Sequence, residues 1–356
     1  MKNLSEREQV IVIVSRLTIL LALFFIVIAS VFVSAMVSAR FGRNKNNSLS
    51  KISASLSLAT PATSERASIP EDKSWKAPDE STIPLGKAGR EILYGKELIV
   101  HTAKYLGPKG SVAQIANLMN CQNCHNEAGT KAFALNFSAV KSTYPQFKAR
   151  SNSFVSIAER INGCFQRSLN GTELAATSKE MLAIIAYMKW LGKEVDKGVK
   201  PKNAGIMKLA FLDRAADPLK GKVVYTNACA SCHRENGAGV LAASAATYIY
   251  PPLWGKDSYN DGAGLVKISN FAGFVKNNMP FGANYRHPVL SDEQAWDVAA
   301  FVNSQPRPHK DQKADWKNLS KKPIDFPFGP YVDNFSEKQH KYGPFNEIAK
   351  AHLKQQ

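Results

Sequence analysis

Cys121-Gln122-Asn123-Cys124-His125 and Cys229-Ala230-Ser231-Cys232-His233 decide how this chain folds. Both read C-x-x-C-H, the attachment signature of a c-type haem. On one helical turn the two sulfurs reach the two vinyl groups of one porphyrin, and the adjacent imidazole then lies under the iron. Paired C-x-x-C elements can also build a zinc site, but zinc does not require a histidine directly after each pair. No βαβ pattern surrounds either pair, so thioredoxin-like redox chemistry has no scaffold here. Two covalently bound haem c groups are the expected cofactors. Cys121, Cys124, Cys229 and Cys232 would carry the thioether bonds, and His125 and His233 would ligate the irons.

The sequence around each motif repeats. A helical pattern from Lys87 to Leu106, with Ile92, Ile99 and Leu106 on one stripe, leads into Cys121. About 108 residues later Asp217-Pro218 starts a helix with proline in its first turn, followed by Val223, Val224 and Tyr225, then Cys229. Each copy ends in a helix with a capping-box signature: Thr177 and Glu180 before Met181 to Leu191, stopped by Gly192, and Ser291 and Gln294 before Ala295 to Asn303, stopped by Pro306. No strand-like alternation of useful length separates them. The expectation is an all-α chain of two cytochrome c-type domains, 85–192 and 217–305. Residues 193–216 link them, and a Pro- and Lys-rich tail, 306–356, follows.

The chain has 356 residues, 44% hydrophobic and 10% aromatic, enough apolar surface for real cores and against disorder of the whole chain. Leu17 to Ala39 is free of charge for 23 residues, long enough to cross a bilayer as one helix. Val33-Ser34-Ala35 and Val37-Ser38-Ala39 also offer signal-peptidase sites, so segment 1–39 is either a membrane anchor or a cleaved signal peptide. Residues 40–84 read as a linker rich in Ser, Ala, Thr and Pro. Basic residues flank the apolar run on both sides and do not orient it. Covalent haem attachment in bacteria takes place outside the cytoplasmic membrane, which puts the domains on the periplasmic side, anchored or soluble.

Lys plus Arg number 46 against 29 Asp plus Glu, a net charge of +17. Such a balance suits an anionic partner. Without aromatic and basic interleaving, nucleic acid is not expected.

The second axial ligands set the chemistry. Between Arg234 and Leu290 there is one Met and one His. Met279, in Asn277-Asn278-Met279-Pro280, is the expected ligand, and His287 reads as a surface or hinge residue. Between Asn126 and Glu180 there is neither Met nor His, and the one soft ligand is the fifth cysteine, Cys164. Free cysteines are commonly inert and buried. However, on a helix from Ser151 to Asn170, Phe154, Ile157, Ile161 and Phe165 form the apolar stripe. Arg160, Arg167 and Ser168 then fall at −4, +3 and +4 from Cys164, an arrangement suited to an anion beside a thiolate.

The stretches Tyr144-Pro145-Gln146-Phe147-Lys148-Ala149-Arg150-Ser151 and Glu159-Arg160-Ile161-Asn162-Gly163-Cys164-Phe165-Gln166-Arg167-Ser168-Leu169-Asn170-Gly171 resemble the dihaem thiosulfate dehydrogenases, the TsdA-type cytochromes, also called tetrathionate reductases. So do Pro251-Pro252-Leu253-Trp254-Gly255 and Ala295-Trp296-Asp297-Val298-Ala299-Ala300-Phe301. The resemblance runs from about Trp75 to Pro308. Its Arg-x3-Cys-x2-Arg-Ser-x-Asn-Gly element is the most specific part, shared in looser form with SoxA cytochromes.

The resemblance implies reversible joining of two thiosulfates into tetrathionate with release of two electrons, passed to a cytochrome c or another redox partner. It implies Cys164 as distal ligand of the first haem, with a transient thiosulfonate on its sulfur, and Arg150, Arg160 and Ser168 as substrate-binding groups. Arg167 joins them from helix position alone. Two dianions about 5 Å apart repel by roughly 3 kcal/mol even in water, so a cationic pocket suits this chemistry. Some relatives carry Lys before the methionine; here that position is Asn278, and Lys276 is expected to be solvated. Two other readings stay open at this point: a SoxA-like subunit that conjugates thiosulfate to a carrier, and a dihaem cytochrome that only transfers electrons.

Overall fold

Residues 74–354 are described in a computed structural model. The anchor or signal segment, 1–39, lies outside the described residues. Among the described residues no helix is long and apolar enough to cross a membrane.

The first half carries α1 (Lys87–Val100), α2 (Thr102–Leu106), α3 (Ile157–Arg167) and α4 (Lys179–Leu191). The second carries α5 (Pro218–Ala228), α6 (Ile268–Asn278) and α7 (Asp292–Ser304), followed by α8 (Glu337–Tyr342) and α9 (Phe345–Leu353). Further single-turn segments connect them. Two short antiparallel hairpins interrupt the helices: β1 (Gln146–Lys148) with β2 (Ser153–Val155), and β3 (Val240–Leu241) with β4 (Tyr248–Tyr250). The expectation of an all-helical chain is corrected to that extent.

One construction appears twice. In α1, Gly95 lets the helix settle on α4: a Cβ there would lie 2.0 Å from the Ala183 carbonyl oxygen. In α5, Gly221 does the same on α7, where a Cβ would lie 1.9 Å from the Asp297 oxygen. Around the first crossing Leu98, Ile99, Met181, Ile184 and Tyr187 form a buried core, and around the second Tyr225, Ala295, Trp296, Val298 and Ala299 form another. The α5–α7 pair is also locked by charge. Asp297, 4% exposed, accepts both Arg214 guanidinium donors at 2.8 and 2.9 Å and the Asp217 N–H at 2.8 Å. Asp217 in turn caps α5 by accepting from the Leu219 and Lys220 N–H groups.

Local competition explains the departures from sequence periodicity. The pattern from Lys87 to Leu106 breaks at His101, because the Thr102 hydroxyl donates to the Leu98 carbonyl and accepts the Cys121 N–H. Ile92, Ile99 and Leu106 are buried all the same. The helix expected from Ser151 starts only at Ile157, since Ser156 and Glu159 form a capping box there. Residues before the box enter β2, and Phe154, expected in the apolar stripe, is 72% exposed and packs edge-on to Phe147. At α4 the N-cap is Ser178 rather than Thr177; Glu180 instead accepts the Tyr94 hydroxyl. Residues 306–354 are packed on the second half: Phe345 and Ile348 of α9 are buried in the second core, and Phe345 packs on Trp296 and Phe211.

Because an added methyl at 221 would strike backbone rather than a movable side chain, Gly221→Ala should cost roughly 1–3 kcal/mol. Thermal unfolding of the dihaem protein, followed by far-UV circular dichroism, should show a lower midpoint; an unchanged midpoint would refute the crossing argument.

Candidate functional site

The first C-x-x-C-H segment is held against the α1–α2 break. Asn120 accepts the Ala103 N–H at 2.9 Å, and Thr102 takes the Cys121 N–H at 3.0 Å. The His125 Nδ1 lies 2.5 Å from the Leu135 carbonyl oxygen, with the ring against Phe137. A carbonyl can only accept, so the proton sits on Nδ1 and the Nε2 lone pair is left for a metal. Cys121, Cys124 and His125 line one cavity. Its other wall carries Arg160, Cys164 and Ser168 of the α3 region, with Ile99, Phe137 and Met188 among its apolar lining. Two thiols, an oriented imidazole and an apolar slot fit a covalently attached haem.

The helix α3 runs through Asn162-Gly163 because the Asn162 side chain is fully engaged, donating to the Leu174 carbonyl and accepting its N–H, both at 3.0 Å. Arg160 and Cys164 therefore share a face one turn apart, and Arg160 Nη1 donates to Cys164 Sγ at 2.9 Å. The cysteines of this cavity are sharply divided. Burial pushes Cys121 and Cys124 up to about 12. Burial acts on Cys164 in the same sense, but Arg160 and His125 outweigh it and bring the thiol down to about 6. The Cys164 charge in turn holds Arg160 above its ordinary value. Tyr144 stands beside this pair, its phenol pushed up by burial against the pull of Arg160.

Arg150 and Arg167 form a second cationic group, next to the cavity rather than on its lining. Both point at one oxygen: Arg150 Nη1 donates to the Gly262 carbonyl at 2.7 Å and Arg167 Nη1 reaches it at 3.5 Å. Arg167 Nη2 also donates to Asp315 Oδ1 at 2.9 Å, so its charge is already committed within the protein. Burial and the Arg167 charge pull Arg150 down to about 10, an effect that Asp315 opposes. The loop carrying Gly262 is docked on the end of α3, Asn260 donating to the Gln166 carbonyl and to Asn170 Oδ1 at 2.8 and 2.9 Å. Asp261 then ties down the segment after α7, accepting from the Lys310 N–H at 2.9 Å and from Gln312 at 3.2 Å, with His309 Nδ1 at 2.6 Å. Asn260, Asp261 and Asp315 were not among the sequence candidates. Their contacts are made across long stretches of chain, and acidic residues amid surface lysines give no local signal.

At the second motif His233 is 8% exposed and its Nδ1 lies 2.8 Å from the Pro251 carbonyl oxygen, again leaving Nε2 for a metal. Tyr225 donates to the Arg234 carbonyl at 2.6 Å and packs at a tilt against Trp254. Gly237, at φ +64°, lies under the Trp254 ring, which a Cβ would meet at 2.3 Å. Met279 follows α6 in extended backbone and packs on the same core as Cys229. Asn278 before it is 2% exposed and donates to the Phe133 carbonyl of the first half at 3.2 Å. Lys276 is not solvated as expected; it donates to the Leu290 carbonyl at 2.7 Å and pairs with Asp292 at 2.8 Å, bracing the start of α7. His287 is exposed.

Comparison with known proteins adds to this geometry. A family model described as SoxA/TsdA, cytochrome c domain, matches residues 112–195, and one described as cytochrome c matches 219–306. A thiosulfate dehydrogenase of Psychrobacter arcticus is 38% identical over 246 residues, 68% of this chain and 72% of its own. One of Allochromatium vinosum is 37% identical over 242 residues, 68% of this chain and 87% of its own. The chain belongs to the thiosulfate dehydrogenase family. A solved thiosulfate dehydrogenase (TsdBA) from Marichromatium purpuratum superposes with a TM-score of 0.62 at 29% identity, covering 67% of this chain and 50% of that one. As a dihaem cytochrome of the thiosulfate dehydrogenase family, the chain carries two covalent haem c groups.

Asp261→Ala removes charge-assisted hydrogen bonds from the segment after α7, each worth about 1.5–3 kcal/mol. Trypsin cleavage at Lys310 and Lys313 should accelerate by roughly tenfold or more, since proteolysis follows the open population; an unchanged cleavage rate would refute the tether.

Proposed function

We propose that this chain oxidises thiosulfate to tetrathionate at the first haem site, and runs the reverse reaction when electrons are supplied. The observation that carries the reading is the Arg160–Cys164 pair, which lines the first cavity together with His125. Electron transfer alone would not require a guanidinium on a thiol.

Cys121 and Cys124 hold the first haem and Cys229 and Cys232 the second; His125 with Cys164, and His233 with Met279, are the iron ligands. When bound, these groups supply the acceptors for the two electrons. Arg160 places a guanidinium directly beside Cys164, and Ser168 also lines the cavity with a hydroxyl to offer an anion. Arg150 adds charge from beside the cavity. Arg167, tied to Asp315, contributes to the field of the pocket rather than a free donor. The low-dielectric surroundings strengthen these charges where the sulfane sulfurs of two dianions must meet. A bond between the Cys164 sulfur and the sulfane sulfur of the first thiosulfate would form with loss of two electrons, for which the two bound haems would supply the acceptors; the sulfane sulfur of the second thiosulfate would then displace the Cys164 thiolate and release tetrathionate. Met279 packs on a separate core and serves the relay site.

The domain assignment proposed is 85–192 for the catalytic half and 217–305 for the relay half. Residues 1–39 export the chain to the periplasmic side, where a cytochrome c or another carrier exchanges electrons with it.

Purified dihaem protein given thiosulfate and an electron acceptor should form tetrathionate; its absence would sink the proposal. Cys164→Ala should keep both haems and lose turnover, whereas full activity would remove Cys164 from the mechanism. Arg160→Gln should lower kcat by roughly a hundred- to a thousandfold. The second haem should keep His/Met ligation in both redox states, its ferric and ferrous spectra each being those of a His/Met centre; a ligand change on reduction would contradict the assignment of Met279.

A further inference from the structure

Arg150 and Arg167 present a physical problem. Two guanidinium groups converge on a single carbonyl oxygen, that of Gly262, in a partly dehydrated pocket. Nothing on their own elements compensates this. The compensation comes from segment 306–330, beyond the second haem motif. Asp315, with a side chain 9% exposed, accepts from Arg167 Nη2 at 2.9 Å and places Oδ2 3.9 Å from Arg150 Nε. That Oδ2 is buried and has no hydrogen-bond partner, so it acts on Arg150 through charge alone. The next residue clamps the same arginine: Trp316 N–H donates to the Arg150 carbonyl at 2.7 Å, and the Arg150 guanidinium lies over the Trp316 and Phe326 rings at 5.3 and 5.8 Å. Arg150 Nη1 is held by Gly262, while its Nε, 3.9 Å from Asp315 Oδ2, and its Nη2 make no hydrogen bond to the described residues, which leaves that edge of the guanidinium for an anion.

We infer that Asp315 is a positioning residue for substrate binding: its carboxylate, together with the Gly262 carbonyl, brackets Arg150 and Arg167 and fixes Arg150 for an incoming sulfur dianion. The inference rests on the proposed thiosulfate chemistry for the identity of that dianion. Asp315 does not touch substrate. Its role is to let two like charges stand together with one of them still free to bind. Without the carboxylate, repulsion drives Arg150 off Gly262 and the bound dianion loses an oriented partner. Chemistry at Cys164, governed by Arg160, is left largely intact.

Asp315→Asn keeps the shape and removes the charge. KM for thiosulfate should rise about tenfold, the size of one lost charge-assisted contact, while kcat changes less than twofold. Equilibrium binding of radiolabelled thiosulfate to the oxidised dihaem protein, without electron acceptor, should weaken by the same factor. In an Arg150→Gln background Asp315→Asn should add less than a twofold further loss, and the haem absorption spectra should match the parent in both cases. Should Asp315→Asn fail to accumulate, Asp315→Glu and Asp315→Gln, equal in length, repeat the comparison, with Glu the tighter binder. Unchanged KM and thiosulfate affinity, a loss confined to kcat, or an undiminished effect in the Arg150→Gln background would each overturn the inference. If the parent protein forms no tetrathionate, the proposed function falls, while the thiosulfate-binding comparison still decides the role of Asp315; a parent that binds no thiosulfate overturns both.

Discussion

Like charges brought together out of water repel, and the first site exists only because that repulsion is answered. At an effective dielectric of 20 two unit charges 4 Å apart interact by roughly 4 kcal/mol, a large fraction of the stability of a domain. Arg160 is matched by the Cys164 sulfur, and Arg167 by Asp315. Arg150 is held by a carbonyl, a nearby carboxylate and two aromatic faces. These answers come from three separate stretches of chain. That is why α3, the loop at Asn260–Gly262 and the segment after α7 must all be docked before the pocket has its charge distribution.

The two haem-binding halves solve one problem alike and another differently. Each orients its motif histidine with a backbone carbonyl, Leu135 for His125 and Pro251 for His233, and each crosses its first and last helices at a glycine. The difference lies in the second ligand proposed for each haem. In the first half a thiol under the field of an arginine is drawn toward its anion, whereas the thioether of Met279 has no proton to lose. A repeated scaffold thus carries one centre suited to meeting anions and one suited to passing electrons.

Local rules made much of this architecture legible. The C-x-x-C-H motifs, the stripe of Ile92, Ile99 and Leu106, the proline-led start of α5 and the Ser291–Gln294 box are all short-range patterns, and the structure follows them. Where two local signals compete, the stronger wins: the Ser156–Glu159 box overrides a helical period that would place Phe154 inside. Helical spacing brought Arg160, Cys164 and Ser168 together correctly, because they share one face. It placed Arg167 beside them too, but spacing cannot reveal that Asp315, 148 residues away, already holds that guanidinium. Lys276 differs for the same reason, its partners lying on the following loop and helix.

The stretch Lys131–Leu135 has a further consequence. Its last carbonyl receives His125, while Phe133 accepts Asn278, the neighbour of Met279, and the Lys131 ammonium reaches the Ala283 carbonyl beyond it. Ala134, between them, is buried in the core of the other half. A single short strap of backbone therefore touches the supports of both metal positions. The His125 imidazole and the loop around Met279 thus lean on the same five residues, so the two halves share a support instead of standing on separate ones.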